Sequence, residues 1–395
     1  MTRKKLLMLL GSVCLALMLV VPLAVACVGP APSPTPSPTP SPTPSPTPTE
    51  GELPELIIYT TYSLGSGAYI TATGHRKVIE KYTPMKVRLE PYADDPGRVG
   101  PLRDKEAHFS IFSASTAYPI AYGTSQFALP AWGPQPLRQV CIGNPLHMTL
   151  IVRASSNIHK IADLKGKKVP TLSASPGSEA SITALLAFGG LTRDDVINVP
   201  FGGWGDQSRS VIEGTCDAYY DDPPCPVVAE LAATQYGARC LPVPSDDKEG
   251  WAKLKKSAPW FTPVICPEDR APGRGLPPEG LPTATYNYEL WTYDWMSEDA
   301  VYEVLKALEL GYNEYKDMHK YCEFYRPWEG PPTVDKLIPN PFHPGAIKYY
   351  EELGAWTADH AKWQEEQLAA EKERIAQFKA DPAAWEAKYS KTVLM

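Results

Sequence analysis

Beyond its first two dozen residues the chain has no apolar stretch long and uninterrupted enough to span a bilayer, which argues against a helical membrane body. It also lacks a phosphate-binding P-loop, a Gly-x-Ser-x-Gly elbow, a His-Glu-x-x-His helix and a dinucleotide fingerprint. No local motif therefore announces nucleotide, hydrolase or metalloprotease chemistry. His147 lies beside a core strand and His343 before a proline, and spacing gives neither of them a base or nucleophile as partner. Only scattered Asp and Glu residues meeting in three dimensions would make a catalytic pair, so a secreted enzyme is the distant alternative. Basic residues are outnumbered, 38 against 45 acidic, and no basic stripe is present, which speaks against nucleic acid as a partner. No Cys-x-x-Cys pair occurs and no histidine stands near Cys216, Cys225 and Cys240, so neither a zinc site nor another metal or cofactor is expected.

What the chain does carry begins with a leader. Residues 1–26 combine a basic start (Arg3, Lys4, Lys5), an apolar run from Leu6 to Val21, and small residues at Ala24 and Ala26. That pattern is a secretory signal, and its removal makes the exported body more acidic than the whole-chain charge of −7. Leu23-Ala-Val-Ala-Cys27 is similar to a bacterial lipobox, which makes Cys27 the expected lipidated residue. Residues 27–53 are a linker whose Ser-Pro-Thr-Pro repeats, Pro30 to Thr49, favour extended polyproline II at about 3.1 Å per residue. The expectation is a body held off the membrane by a tether, outside the cytoplasm. Six cysteines remain, Cys141, Cys216, Cys225, Cys240, Cys266 and Cys322; one local bridge within the close set 216, 225 and 240, or free buried thiols, are both open.

At 395 residues the chain should make one large or two medium domains. The most informative stretch is Leu146 to Leu186. Met148 to Val152 reads as a buried strand, Val169 to Leu172 as another, and Ser173-Ala-Ser-Pro-Gly-Ser178 as a loop opening a helix through Phe188. At such a junction the first backbone N–H groups lack helical partners and favour an anion, with Ser175, Gly177 and Ser178 allowing close approach. The alternative is that Ser175 or Ser178 merely caps the helix.

The pattern recurs. Glu55 to Tyr62 is a strand, Ser63-Leu-Gly-Ser-Gly-Ala-Tyr69 a Gly/Ser loop, and a helix follows through Val78 and Ile79. Met85 to Glu90 is a strand, a loop holds Asp94, Asp95 and Arg98, and Leu102 to Ile111 runs from helix end to strand. Further on come a strand at Val196 to Pro200, the glycine loop around Trp204, and a strand at Cys216 to Tyr220 that ends in Asp221-Asp-Pro-Pro224. Extended segments follow at Pro259 to Cys266 and Thr283 to Trp295, then an amphipathic helix at Glu298 to Met318. Alternating β and α argues for a sheet covered by helices, with ligands at the carboxyl ends of its strands.

These residues carry a resemblance. Ser63 to Tyr69, Leu102 to Ile111, His147 to Val169 with Ala162-Asp-Leu-Lys-Gly-Lys167, Pro176-Gly-Ser178, and Phe342-His-Pro-Gly-Ala346 with Tyr349 and Tyr350 resemble, in order and spacing, the TAXI solute-binding proteins of TRAP transporters. The resemblance runs from about Ile57 to Gly354. It implies an α/β, two-lobed type II periplasmic-binding-protein fold with mixed sheets and an interlobe cleft closing on a small organic anion. Lobe 1 would comprise residues 54–150 and 286–354 and lobe 2 residues 151–285, with crossings at Met148 to Val152 and near Ala284 to Glu289. It also implies delivery of the ligand to the membrane subunits of an ion-gradient-driven TRAP permease. A tethered module that senses without transporting is the contrasting function.

By this resemblance Ser63, Ser66, Gly67 and Tyr69 form one side of the ligand site and Ser175, Gly177 and Ser178 the other. The chain departs from the family pattern at Glu179-Ala180, at Asp94, Asp95 and Arg98, and at Ser113-Ala-Ser115, so the ligand is not copied from relatives that take glutamate or 2-oxoglutarate. Arg98 is the candidate partner for a ligand carboxylate, against a surface salt bridge to Asp94 or Asp95. Trp204 and Tyr219 are candidate walls, against packing in a hinge or core. Asp221 and Asp222 would orient an amine, although a solvated turn before Pro223 is the simpler reading. Residues 355–395 are a helical extension that either packs on the body or meets a partner.

Overall fold

The structure is a computed structural model that describes residues 53–64 and 66–390. The expected leader, Cys27 and nearly all of the expected linker lie outside the described residues, as does Gly65.

The first half opens with β1 (Leu56–Thr61), α1 (Gly67–Tyr82) and β2 (Lys86–Pro91), then α2 (Asp95–Arg103), β3 (Phe109–Ser113) and α3 (Ala114–Tyr122). Ser66 caps α1 by accepting the Tyr69 N–H at 3.1 Å. A helix, α2, stands where a loop was expected. Asp94 accepts the Gly97 N–H at 2.8 Å and Pro96 lies in the first turn, a combination of cap and preset φ that starts a helix.

β4 (Leu137–Arg153) is far longer than the apolar run around Met148 suggested. The second half follows: β5 (Lys168–Leu172), α4 (Pro176–Phe188), β6 (Ile197–Phe201), the short turns α5 (Trp204–Gln207) and α6 (Ser210–Glu213), and β7 (Ala218–Asp221). Then come α7 (Pro226–Ala233), β8 (Ala238–Cys240), α8 (Lys248–Ser257), β9 (Thr262–Cys266) and β10 (Leu281–Tyr293). The chain returns through α9 (Glu298–Leu310) and α10 (Tyr312–Tyr315) to α11 (Pro344–Glu352), α12 (Ala358–Ala380) and α13 (Pro382–Tyr389). The expected helix from Glu298 to Met318 breaks at Gly311, where a Cβ would lie 2.2 Å from Val78 and only glycine lets α1 and α9 approach.

β1 pairs in parallel with β2 and β3, and β10 continues the sheet antiparallel to β3. β4 pairs with β10 up to Met148, opposite Ala284, and from Thr149 onward with β7 and β8. β10 likewise pairs with β9 through Leu281–Thr285, while β5 and β6 form their own parallel pair. Two strands thus belong to both halves. This is the mixed, two-lobed α/β arrangement expected from the sequence. One large core runs from Ile57 to Tyr350, and a second surrounds Ile151, Val211, Tyr219, Val228 and Leu231.

All six described cysteines are free thiols. The local bridge considered within the 216, 225, 240 set is not formed: Cys216 and Cys240 are buried in the second core, while Cys225, just before α7, sits 3.4 Å from the Tyr321 hydroxyl. The C-terminal helices pack back on the first half. Arg138 of β4 makes a two-pronged pair with Glu371 at 2.8 and 2.9 Å, and Trp385 Nε1 donates to the Gly123 carbonyl at 2.7 Å.

Candidate functional site

The carboxyl ends of β1, β3, β5, β6 and β7 converge where β4 and β10 pass between the halves, the place where open α/β sheets hold ligands. Tyr62 follows β1, Ser113 closes β3, Ser178 lies in the first turn after β5, Trp204 follows β6, and Asp221 closes β7 with Asp222 behind it. With Leu146 and Met148 of β4, Tyr286 and Tyr288 of β10, Cys225 and Tyr321, they enclose a cavity of about 20 Å³. That is room for one water, so the two halves stand nearly closed on each other. A groove of about 360 Å³ shares Trp204, Cys225, Tyr288 and Tyr321 with the cavity and adds Ser63, Ser66, Gly67 and Gly205.

Aromatic rings dominate the lining. Tyr62 lies 5.4 Å from Tyr288 and 6.3 Å from Trp204 between ring centroids, the latter edge-on, and Tyr288 lies 5.8 Å from Tyr321. Hydrogen bonds fix several of them: Trp204 Nε1 donates to the Tyr220 carbonyl at 3.2 Å, and the Tyr286 and Tyr220 hydroxyls meet at 2.8 Å. Rings held this way keep a shaped, water-poor pocket in which electrostatic effects are strong.

The charges in the lining are negative. Asp221 and Asp222 are each 1% exposed, so the solvated turn read from Asp-Asp-Pro-Pro is corrected: the turn sits at the crossing of the two halves, and both carboxylates are inside. Asp222 accepts the His147 N–H and the Tyr321 O–H, both at 3.0 Å. Burial raises its carboxyl to about 6 despite the field of the Arg270 guanidinium. Asp221 Oδ1 accepts the Asp222 N–H at 2.8 Å, whereas its Oδ2 is buried without a hydrogen-bond partner among the described residues. Burial pushes Asp221 up to about 7, offset in part by the Cys225 thiol and the Asp222 amide. Among the described residues no cation pairs with it. His147, 3.8 Å from Asp222 and desolvated, is held down to about 4 and is neutral.

Arg98 is 0% exposed, and the surface salt bridge considered for it is replaced by a buried one. It pairs with Asp95 one helical turn earlier, donates to the Tyr92 carbonyl at 3.2 Å, and stacks 3.6 Å from the Tyr62 ring centroid. Burial still lifts the Asp95 carboxyl to about 6. The guanidinium is therefore committed within the protein rather than offered to a ligand.

The other sequence candidates divide. Trp204 and Ser178 line the cavity, and Ser63, Ser66 and Gly67 the groove. Gly67 is needed for packing, since a Cβ there would lie 2.3 Å from the Tyr321 ring. Tyr69, half-buried in the first turn of α1, is not among the residues lining cavity or groove. Ser175 neither caps α4 nor reaches the cavity; its Oγ accepts the Trp204 N–H at 3.2 Å and pins the glycine loop. Gly177 faces the first half, where a Cβ would come within 2.1 Å of the Ser115 carbonyl oxygen. It serves contact between helices rather than approach of a ligand. Tyr219 lies in the second core beside Ile151 and Val211 and lines neither space. Glu179 is turned away from the site: it accepts the Leu172 N–H at 2.9 Å and pairs with Arg193 at 2.5 Å.

The sequence reading did not single out Tyr62, Tyr286, Tyr288 or Tyr321. Tyr62 alone had a signal, its position as the last residue of a predicted strand. The others depend on how β10 and the segment after α10 return to the crossing.

The family model for the NMT1-like family matches residues 98–354, which span β3 to β10, both crossing strands and the acidic turn. The chain belongs to the NMT1-like family. Structural likeness is of lower degree. The alkanesulfonate-binding protein SsuA from Xanthomonas axonopodis pv. citri, bound to MOPS, is 15% identical, with 83% of this chain and 94% of that one covered at a TM-score of 0.43. The periplasmic aliphatic sulphonate binding protein SsuA from Escherichia coli is 16% identical over 83% and 88%, at 0.42. An ancestral arginine-binding protein bound to arginine is 13% identical over 68% and 98%, at 0.42. The ligands named belong to those proteins. Among the described residues no helix is long and apolar enough to cross a membrane.

Proposed function

We propose that this chain is the extracytoplasmic receptor of a solute transporter, which traps a small molecule between its two halves and hands it to a membrane permease. The observation that carries this is the aromatic cavity at the crossing, walled by the carboxyl ends of strands from both halves and nearly closed by their contact. A site built across two bodies joined by two strands suits capture by hinge motion, in which the ligand stabilises the closed form. Membership of the NMT1-like family agrees with it.

The resemblance to TAXI receptors favours a TRAP permease as partner, and the leader and linker favour anchoring through lipidated Cys27. The organic acid implied by the same resemblance finds less support, because Arg98 is committed to Asp95 and Tyr62 and the lining carries two carboxylates.

Native mass spectrometry of the protein purified from its own cells tests the reading. One small molecule bound per chain, released by unfolding, is expected. A chain that carries none and gains no thermal stability from any small solute would refute it.

A further inference from the structure

The charge account of the cavity does not close within the protein. Arg98 and Asp95 neutralise each other, and Asp222 has two hydrogen-bond donors and the field of Arg270. Asp221 has the Asp222 amide on Oδ1 and the Cys225 thiol beside it, while its Oδ2 is buried, without a hydrogen-bond partner among the described residues, and part of a residue lining the cavity. A buried carboxylate without a cation or donors is costly, and it is satisfied either by holding its own proton or by a cation brought from outside. Electron-rich faces surround it. Tyr62, Trp204, Tyr288 and Tyr321 wall the same small space, and aromatic faces attract cations most strongly where water is excluded.

We infer that the ligand of this site carries a protonated amine, which donates to Asp221 Oδ2 and packs against the Tyr and Trp rings. The inference rests on the receptor reading and adds the chemical class. An N–H-bearing ammonium fits better than a fully alkylated one, since the carboxylate oxygen needs a donor. A carboxylate on the same molecule is not required, because the cavity offers no uncommitted cation to meet it.

The pH dependence follows from the groups around Asp221. His147 on β4 is neutral, burial pushes the Cys225 thiol and the Tyr321 hydroxyl well up so that both stay neutral, and the Arg270 guanidinium acts on Asp222 through its field. Asp221 and Asp222 are thus the groups that titrate near neutrality, at about 7 and about 6. Protonating either weakens a bound ammonium, so affinity falls as pH falls, by up to about tenfold between pH 7 and pH 6.

The test is a thermal-shift and calorimetric panel on the full chain: ethanolamine, putrescine and phenethylamine as amines, 4-aminobutyrate as amine with carboxylate, succinate and 2-oxoglutarate as carboxylates alone. Support requires that an amine-bearing probe bind, weaken on going from pH 7 to pH 6, and lose at least about tenfold in affinity in Asp221→Asn. The size of the response to 4-aminobutyrate relative to ethanolamine tells an amino acid from a simple amine. The Asn variant keeps the volume and removes the unpaired charge, so its ligand-free melting temperature at pH 8 should equal or exceed that of the parent. Binding by the carboxylates alone, or amine binding unchanged in Asp221→Asn or strengthened at pH 6, overturns the inference and leaves the receptor reading standing. No stabilisation by any of the amine-bearing probes overturns the inference, and the receptor reading then rests on the native mass spectrum.

Discussion

Gly177→Ala separates the two accounts of the Pro176-Gly-Ser178 turn. If Gly177 serves a ligand, an added methyl changes binding alone; in the structure it serves the contact of α4 with α3. The new Cβ would sit 2.1 Å from the Ser115 carbonyl oxygen and 3.0 Å from the Thr116 nitrogen, both backbone atoms that cannot swing aside. Relief requires α3 and α4 to part by more than 1 Å, since ordinary contact is about 3.5 Å. Overpacking of this kind costs about 1–3 kcal/mol. Because α3 lies in one half and α4 in the other, the cost falls on closure, and the closed population should drop about 5- to 150-fold relative to the open one. Small-angle scattering with and without ligand reads this directly. The variant should keep an expanded radius of gyration at ligand concentrations that compact the parent, while its denaturant midpoint changes little. A Gly177→Ala protein that closes as readily as the parent would refute this assignment of the glycine.

Other perturbations test the buried charges and the tail. Arg98→Ala should destabilise the ligand-free protein by about 3–5 kcal/mol, because it leaves Asp95 buried without its partner; a loss of binding with unchanged stability would restore Arg98 as a ligand-contacting residue. The raised Asp221 carboxyl means that the folded chain holds a proton which the unfolded chain releases at about pH 4. This contribution is full below that pH and is lost as pH rises toward 7, on the order of 4 kcal/mol at most. Urea titrations at pH 5 and pH 8 should therefore differ less in Asp221→Asn than in the parent, and equal differences would count against the unpaired charge. Glu371→Ala should cost about 3–5 kcal/mol by stranding Arg138, measured by denaturation, and an unaltered midpoint would mean that the tail does not clamp the first half.

Local chemistry made much of the fold legible. Apolar runs bounded by Gly, Ser and Pro marked β1, β3, β5, β6 and β7, and the small-residue loops after β1 and β5 predicted that helices follow there. Asp94-Asp-Pro-Gly97 is a helix start whose cap and proline were both in view, yet the expected ligand loop masked it. Gly311 ended a periodic pattern for a reason no periodicity contains, the proximity of Val78. The full length of β4 was hidden because its first half, Leu137 to Pro145, mixes Arg138, Gln139, Asn144 and Pro145 among apolar residues. Arg138 and Gln139 find their partners, Glu371 and the Asn340 carbonyl, only after the chain has returned.

The sequence by itself determined the alternation of strand and helix and the loops at strand ends from which a ligand site would be built, because these depend on residues near one another in the chain; the two lobes were implied by the resemblance to TAXI receptors. Tertiary structure alone decided the character of the site. It turned Arg98 inward to Asp95 and set Gly177 against Ser115. It buried Asp221 and Asp222 and brought Tyr286, Tyr288 and Tyr321 to face Tyr62 and Trp204. Burial and pairing are properties of segments that meet from distant parts of the chain, and they fix whether a charge is spent within the protein or left for a ligand.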